Sequence, residues 1–421
     1  MSPARRGSAP DGLDGERQQS GGTVDFSFGP DDTAFREEAR AWLEAHLVGA
    51  YAAAAGTGGP GSEHEGVAIR REWERELGRE GWIGLGWENR GAGHGNRRAS
   101  LTQQVVWAEE YARADAPARV GHIGENLLAP TLIAYGSEAQ QRRFLPAVAR
   151  GDALWCQGYS EPDAGSDLAA VRTAAVPDRS RGGHRVTGQK IWTSLAKEAD
   201  WCFVLARTEP GSRRHHGLSF LLVPMDQPGR IEVRPIRQMS GTSEFNEVFF
   251  DGAHAEECVG GESNGWTVAM GLLALERGVS TLVQQIGFAA ELGRVVRAAI
   301  DSGAVTDPVL RERLVRQWAQ LRTMRWNALR TLGSTGDAGA PSVAKLLWGG
   351  WHQRLGELAV QVRGAAAAVG PDDWSAKAPY GLDEAQRLFL FTRSDTIYGG
   401  SDEIQRNIIA ERVLGLPREP R

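Results

Sequence analysis

Apolar residues along this chain recur first with a helical period, then in short strand-like runs, then with a helical period again. From Asp31 onward Phe35, Ala39, Trp42, Leu43 and Leu47 share one helical face, and the acidic residues at its start suit the positive end of a helix. An Ala/Gly-rich stretch from Tyr51 to Gly61 predicts a surface loop, followed by helices over 69–80, 101–112 and 138–149. Between 153 and 258 the texture changes to runs rich in β-branched and aromatic residues at 184–192, 201–207, 218–223, 231–236 and 247–250, separated by turn signals. Strands without intervening helices predict an antiparallel sheet or small barrel and exclude a doubly wound dinucleotide fold. Helical segments return at 268–299, 308–332, 342–362 and 384–393, about the number that closes a bundle. A last helix follows Gly399-Gly400, with Ser401 as its cap, Asp402 and Glu403 at its positive end, and Ile404, Ile408 and Leu414 on its core face. The chain therefore reads as α+β: a disordered tail over 1–22, an N-terminal α-helical domain over 23–150, a middle antiparallel β domain over 151–258, and a C-terminal four-helix bundle over 259–421.

Composition narrows the class of protein. The 421 residues are 41% hydrophobic and 24% charged with net charge −5, which suits a globular chain and lacks the basic excess that binding a phosphate backbone requires. The cluster Arg213, Arg214, His215 and His216 follows Pro210-Gly211-Ser212 and reads as a solvated loop. Cys156, Cys202 and Cys258 have no metal-like spacing and are too few for a disulfide framework, so no metal site is expected and a cytoplasmic setting is the simpler one. The first 22 residues lack an apolar h-region, and no stretch approaches the roughly 20 apolar residues of a membrane span.

Three motifs carry the chemistry. Tyr159-Ser160-Glu161-Pro162-Asp163-Ala164-Gly165-Ser166-Asp167 is followed by Gly188-Gln189-Lys190-Ile191-Trp192-Thr193-Ser194 on an expected strand, and Tyr398-Gly399-Gly400-Ser401-Asp402-Glu403-Ile404-Gln405-Arg406 lies near the end. In this order they resemble the flavin signature, flavin-facing strand and C-terminal signature of the acyl-CoA dehydrogenase family, from about Asp25 onward. The resemblance implies that family's fold and its cofactor, FAD. An isoalloxazine ring has flat apolar faces and polar edges, so it needs aromatic packing and hydrogen bonds around its rim. Trp192 alone would read as a core aromatic and Glu161-Pro162 as an ordinary turn, but together these blocks favour flavin.

The resemblance sets Trp192 against the flavin, the Ser194 hydroxyl near N5 with Thr193 beside it, and Gln157, Tyr159, Ser160, Gly165 and Ser166 along the pyrimidine edge and pyrophosphate. Gly165 allows close backbone approach, Ser166 is shared with the CoA portion of the substrate, and Ser401 and Glu403 are further cofactor contacts. Gln361-Val362-Arg363-Gly364-Ala365 resembles a Gln-x-x-Gly-Gly element that serves the FAD of a neighbouring subunit, giving Gln361 and Gly364, with Ala365 departing from the pattern. The family's Arg and Phe-Gly dinucleotide contact has no recognisable equivalent around Asp307-Pro308.

Desaturating a thioester removes an α-proton while a hydride leaves the β-carbon, so a carboxylate, the flavin and donors to the carbonyl share the work. Where well-known family members carry the base Glu, this chain has Gly399. Glu276, in Leu275-Glu276-Arg277-Gly278, falls where branches lacking that Glu carry their base on a bundle helix; Arg277 matches a substrate-side Arg, and the Gly399 N–H is expected to donate to the thioester carbonyl. A plain helix-surface ion pair is the structural reading of Glu276-Arg277. The expected activity is therefore FAD-dependent α,β-dehydrogenation of an acyl-CoA or acyl carrier protein thioester, with an acceptor such as an electron-transfer flavoprotein and a homo- or hetero-tetrameric assembly. A flavin oxidase or monooxygenase on the same fold, and a non-catalytic subunit of a mixed tetramer, are the alternatives.

Overall fold

The computed structural model describes residues 28–59, 61–88, 93–275, 279–331, 339–369 and 381–418; the expected tail over 1–22 lies outside them. Its N-terminal helices are α1 (Pro30–His46), α2 (Ala50–Ala53), α3 (Val67–Arg79), α4 (Leu101–Arg113), α5 (Ala129–Tyr135) and α6 (Glu138–Ala149). The expected loop after Tyr51 thus begins with a helical turn: Ala50–Ala53 carries three alanines, and the Tyr51 ring packs on Trp73 of α3 at 5.0 Å. Helices α4 and α6 start at reciprocal capping boxes: Ser100 with Gln103 and Ser137 with Gln140 each satisfy two otherwise orphaned N–H groups. A core of stacked tryptophans holds this layer, with Trp82 and Trp107 parallel at 4.2 Å.

The middle region has eight strands: β1 (Trp155–Gly158), β2 (Ala174–Pro177), β3 (His184–Ser194), β4 (Trp201–Arg207), β5 (Leu218–Pro224), β6 (Ile231–Ile236), β7 (Phe245–Ala255) and β8 (Glu257–Val259). They form one sheet in the order β6-β7-β3-β2-β4-β5-β8, with β1 paired to β4. Most pairings are antiparallel as expected, but β1 and β2 run parallel to β4. The apolar runs of β4 and β5 show no alternation because both faces are covered. Phe203, Leu205, Phe220 and Leu222 pack on α5, α6 and α7 (Gly265–Leu275), while Val204, Leu221 and Val223 face Val186, Val248 and Phe250 across the curled interior of the sheet.

After α7 come α8 (Val279–Asp301), α9 (Pro308–Thr331), α10 (Ala340–Gln361), α11 (Glu384–Phe391) and α12 (Asp402–Ile408). The single expected helix over 268–299 is thus described as α7 and α8, with 276–278 between them outside the described residues. The bundle core joins Phe288, Leu292, Leu321, Trp351 and Leu355. Buried Glu110 of α4 accepts from Arg36, Arg40 and Arg113, and neighbouring Glu109 pairs with both Arg36 and Arg325, tying α1 and α4 to α9. Leu414 does not reach the core: it is 64% exposed, because the chain passes through a π-type turn at 409–413 whose extra residue rotates the helix face. Gln405 is instead the buried residue of α12. Among the described residues no helix is long and apolar enough to cross a membrane.

Candidate active site

The first two motifs are locked together residue by residue. In β3 the pairing with β7 breaks between Lys190 and Thr193, and the Ile191 N–H turns away to donate to Ser160 O at 2.9 Å. Lys190, fully buried, sends its ammonium to Tyr159 O at 2.9 Å, Glu161 Oε1 at 2.8 Å and Leu205 O at 2.8 Å, so its three protons meet three acceptors. The Glu161 carboxylate also accepts from the N–H groups of Arg172 at 2.6 Å and Thr173 at 2.8 Å. Burial alone would raise the Glu161 carboxyl, but Lys190 and these donors outweigh it and hold it below its usual range. Burial likewise depresses the Lys190 ammonium, with Glu161 opposing. Both stand in the motifs that resemble the flavin signature but are not among the expected site residues, and only their pairing across 29 residues reveals that they fix the loop to the strand.

That break presents Trp192. Its φ is 61°, a left-handed conformation rare for a bulky residue, and it is 55% exposed, with one ring contact among the described residues, edge-on to Phe245 at 6.0 Å. Such strain persists where surrounding structure over-determines it, here the Ile191 and Lys190 bonds on one side and the Thr193 to Asn246 pairing on the other. Next to it the buried Thr193 Oγ1 has no hydrogen-bond partner, and the half-buried Ser194 hydroxyl makes no bond among the described residues. Gln157 is half-buried on β1 and Tyr159 is buried beneath the loop, whereas Gly165 and Ser166 are exposed at its tip. A Cβ on Gly165 would meet nothing within 4 Å, so the chain itself does not demand glycine there. An open aromatic face with unsatisfied hydroxyls and a bare backbone at one edge fits a flat ring with a polar rim, the shape of the flavin.

The C-terminal motif forms a tight turn of its own. Gly399 and Gly400 have φ of 64° and 86°, and the amide of Gln405 bonds Gly399 O at 3.4 Å and Gly400 O at 3.3 Å. Ser401 caps α12 by accepting from Ile404 N at 3.4 Å, and Glu403 is exposed in its first turn. The Gly399 N–H has no acceptor among the described residues. Gln361 and Gly364 lie at the exposed C-terminal end of α10, where Gln361 accepts from Arg313, away from the sheet motifs along the chain of contacts α10 makes with α8, α9, α11 and α12. Glu276 and Arg277 lie outside the described residues. Among the described residues no group of His, Cys, Asp and Glu side chains has the arrangement of a metal site.

One further carboxyl escaped the sequence reading. Glu244, buried immediately before β7, accepts from Glu63 N at 3.1 Å through its side chain and from Leu195 N at 3.4 Å through its backbone. Burial, with the Glu63 charge adding and the Glu63 N–H opposing, lifts its pKa to about 7, and its charge acts on the Tyr398 phenol. It thus sits where the N-terminal layer, the end of the flavin-type strand and the C-terminal motif converge, a place no local pattern in the sequence marks.

Comparisons with known proteins bear on the chain as a whole. The acyl-CoA dehydrogenase N-terminal, middle and C-terminal domain models match residues 29–152, 156–253 and 263–414. The chain is 55% identical over 389 residues to the acyl-CoA dehydrogenase IpdE1 of Mycobacterium tuberculosis, covering 91% of this chain and 98% of that protein. Among solved structures it resembles the Tcur3481-Tcur3483 steroid ACAD, at 28% identity and TM-score 0.77 over 94% of this chain and all of that one. The ChsE4-ChsE5 complex from Mycobacterium tuberculosis gives 28% identity and TM-score 0.75 over 94% and 100%.

Proposed function

The chain belongs to the acyl-CoA dehydrogenase family of FAD-dependent oxidoreductases, and from that premise we propose that it desaturates a bulky acyl-CoA thioester, of steroid-derived type, to the trans-2-enoyl thioester. The observation that carries the reading is Trp192, held open at φ 61° by bonds to the Tyr159–Glu161 loop. Trp192 would pack on the isoalloxazine, Thr193 and Ser194 would supply hydroxyls to its edge, and Gln157, Tyr159, Ser160, Gly165 and Ser166 would line the rim and pyrophosphate. When bound, FAD supplies the two-electron acceptor for the β-hydride. Ser401 and Glu403 are proposed contacts on the same cofactor, Ser166 also on CoA.

Gly399 has no side chain to take a proton, and its free N–H is suited to hold the thioester carbonyl and stabilise the developing enolate. Glu276 is the proposed general base and Arg277 a substrate-side charge. A bulky acyl group is supported by the likeness to the steroid ACAD and by the space that glycine leaves at 399. A mixed tetramer is the favoured assembly: Ala365 breaks the element that would serve a neighbour's FAD, and two related structures are two-protein assemblies. An electron-transfer flavoprotein is the proposed acceptor and the cytoplasm the proposed setting, in keeping with three unbridged cysteines. Anaerobic titration of the FAD-loaded protein with a panel of linear, branched and steroid-derived acyl-CoA thioesters tests this. Bleaching of the flavin absorbance by bulky members supports the reading. No bleaching by any member, with FAD bound, refutes it.

A further inference from the structure

Behind the Tyr398-Gly399 turn runs a chain of polar side chains buried inside the helical bundle, which the reading above does not use. His352 of α10 is buried, with Nδ1 at 2.8 Å from Asp395 Oδ2 and Nε2 at 2.8 Å from Glu291 Oε2 of α8. Ionised carboxylates only accept hydrogen bonds, so both ring nitrogens must donate and the ring is an imidazolium between two anions. The other oxygen of Asp395, Oδ1, accepts from the Tyr398 hydroxyl at 2.7 Å, and the Asp395 backbone carbonyl accepts from Lys345. Burial would depress the imidazole, but the bonds to Asp395 and then Glu291 outweigh it and lift its pKa to about 9. Tyr398 is 38% exposed as a residue, but its hydroxyl points in to Asp395, and burial there and then the Asp395 charge push the phenol well up, so it keeps its proton. The other charged groups acting here are Lys345, beside Asp395, Asp402, whose charge acts on Lys345, and Glu244, whose charge acts on Tyr398.

Three helical segments bring these groups together, and apolar side chains of the same volume would fill the bundle at no greater cost. What the chain does that apolar residues would not is aim Tyr398. Its hydroxyl is drawn inward onto Asp395, while Tyr398 N and Ile397 N both bond Ser394 O at 3.0 and 2.8 Å. Two glycines in the left-handed region follow at once, and without an anchor they would be the freest backbone in the region. Gln405 holds the far side of that turn through the Gly399 and Gly400 carbonyls. Between the two anchors lies the Gly399 N–H.

We propose that Glu291, His352, Asp395 and Tyr398 form a positioning chain that fixes the Gly399 N–H on the acyl thioester carbonyl. His352 and Asp395 are positioning residues, not catalytic ones, since they act through Tyr398. The inference rests on the reading that the Gly399 N–H meets that carbonyl, and the test separates the two. A ¹³C-carbonyl-labelled 2-enoyl-CoA bearing the acyl group that bleaches best is bound to the FAD-loaded protein, and its carbonyl stretch is read by isotope-edited infrared difference spectroscopy. In wild type the stretch falls below its solution value. Tyr398→Phe removes only the bond to Asp395 and has little reason to unfold the bundle; His352→Gln keeps one bond and removes the charge. Both should retain FAD and return the carbonyl stretch at least halfway to its solution value, with kcat down roughly tenfold and KM changed less, short of the 10²–10³-fold cost of losing an oxyanion donor outright. Should His352→Gln fail to fold, Tyr398→Phe decides alone. A stretch lowered in wild type and equally lowered in the variants overturns the positioning chain while leaving the Gly399 reading intact. A stretch unshifted in wild type overturns both.

Discussion

Lys190→Met is the most severe single change the fold implies at the flavin-type strand, and its consequences can be worked out from contacts alone. Methionine fills nearly the same volume but donates nothing, so Glu161 is left buried with two backbone N–H groups, and the carbonyls of Tyr159 and Leu205 each lose their ammonium partner. Breaking a buried ion pair by removing one partner costs about 3–5 kcal/mol, and an orphaned carbonyl about 1–3 kcal/mol. These terms overlap, because the loop can shift to let water reach some of the groups, so about 3–5 kcal/mol is the expected total. The acid dependence carries the diagnostic sign. In wild type the Glu161 carboxyl is held below its usual value, so it contributes stability above the unfolded value near 4.5 that is lost as pH falls through the folded one. In the variant only the Arg172 and Thr173 N–H groups still oppose burial, so the carboxyl rises from its wild-type position and acid relieves part of the penalty.

Paired urea titrations of wild type and Lys190→Met at pH 8 and pH 5, followed by circular dichroism, should therefore show a large gap at pH 8 that narrows at pH 5. Adding Glu161→Gln removes the buried charge and should recover part of the loss at pH 8. FAD should leave the single variant during gel filtration, since the Tyr159–Glu161 loop is no longer fastened to Trp192. A gap below about 1 kcal/mol at pH 8, or one that widens in acid, would refute the argument.

Trp192→Ala should fold within about 0.5 kcal/mol of wild type, because the side chain is 55% exposed, yet bind FAD at least roughly tenfold more weakly by titration; unchanged FAD affinity would remove it from the cofactor site. Glu276→Gln should stay yellow and slow flavin reduction roughly 10²–10⁴-fold in anaerobic stopped flow, and a rate within about tenfold of wild type would remove it as the base. With its pKa lifted from 6.5 to about 9, His352 contributes stability fully present below 6.5 and lost as pH rises through 9. Thermal melts of His352→Leu should lack the part of that decline, at most about 3 kcal/mol, that wild type shows, Lys345 and Tyr398 being left in both; equal slopes would contradict the imidazolium.

The elements that could be read from the sequence are those whose pattern is local and long enough to repeat. Strands β4 and β6 fall at the expected limits because their apolar or alternating runs end in turn residues. The strands β1, β2 and β8 have only three or four residues each, too few for a period, and they form because β4, β3 and β5 offer free edges. Strand β7 extends well past 247–250 because pairing with β3 sustains Gly252, His254 and other residues of weak strand preference. Site residues divide in the same way. Trp192 and Gly399 stand in contiguous motifs, whereas Lys190 with Glu161, and His352 with Glu291 and Asp395, acquire meaning only across 29, 61 and 43 residues. A buried charge is invisible in a one-dimensional pattern, since what makes it tolerable is a partner on another element.

That same difference separates the two carboxyls competing for the role of base. Glu244 looks the stronger candidate by environment, since burial lifts its pKa to about 7, close to where a general base works best. Its geometry argues otherwise: one side-chain oxygen is already engaged by the Glu63 N–H, and no cation pairs with it among the described residues. The raised value therefore marks a stability cost. A folded pKa of about 7 against 4.5 unfolded means that stability is highest below 4.5 and is lost as pH rises through 7, a penalty of about 3 kcal/mol at most at pH 8. The charge of Glu63 adds to it. Glu244→Gln keeps an acceptor for the Glu63 N–H and discards the charge, so it should unfold at higher urea than wild type at pH 8 and at nearly the same urea at pH 4.5. Flavin reduction should stay within about tenfold of wild type and keep its lower pH limb, the limb that Glu276→Gln removes. If instead Glu244→Gln gains no stability at pH 8 and slows flavin reduction a hundredfold or more, the proton is taken by Glu244 and the assignment to Glu276 falls.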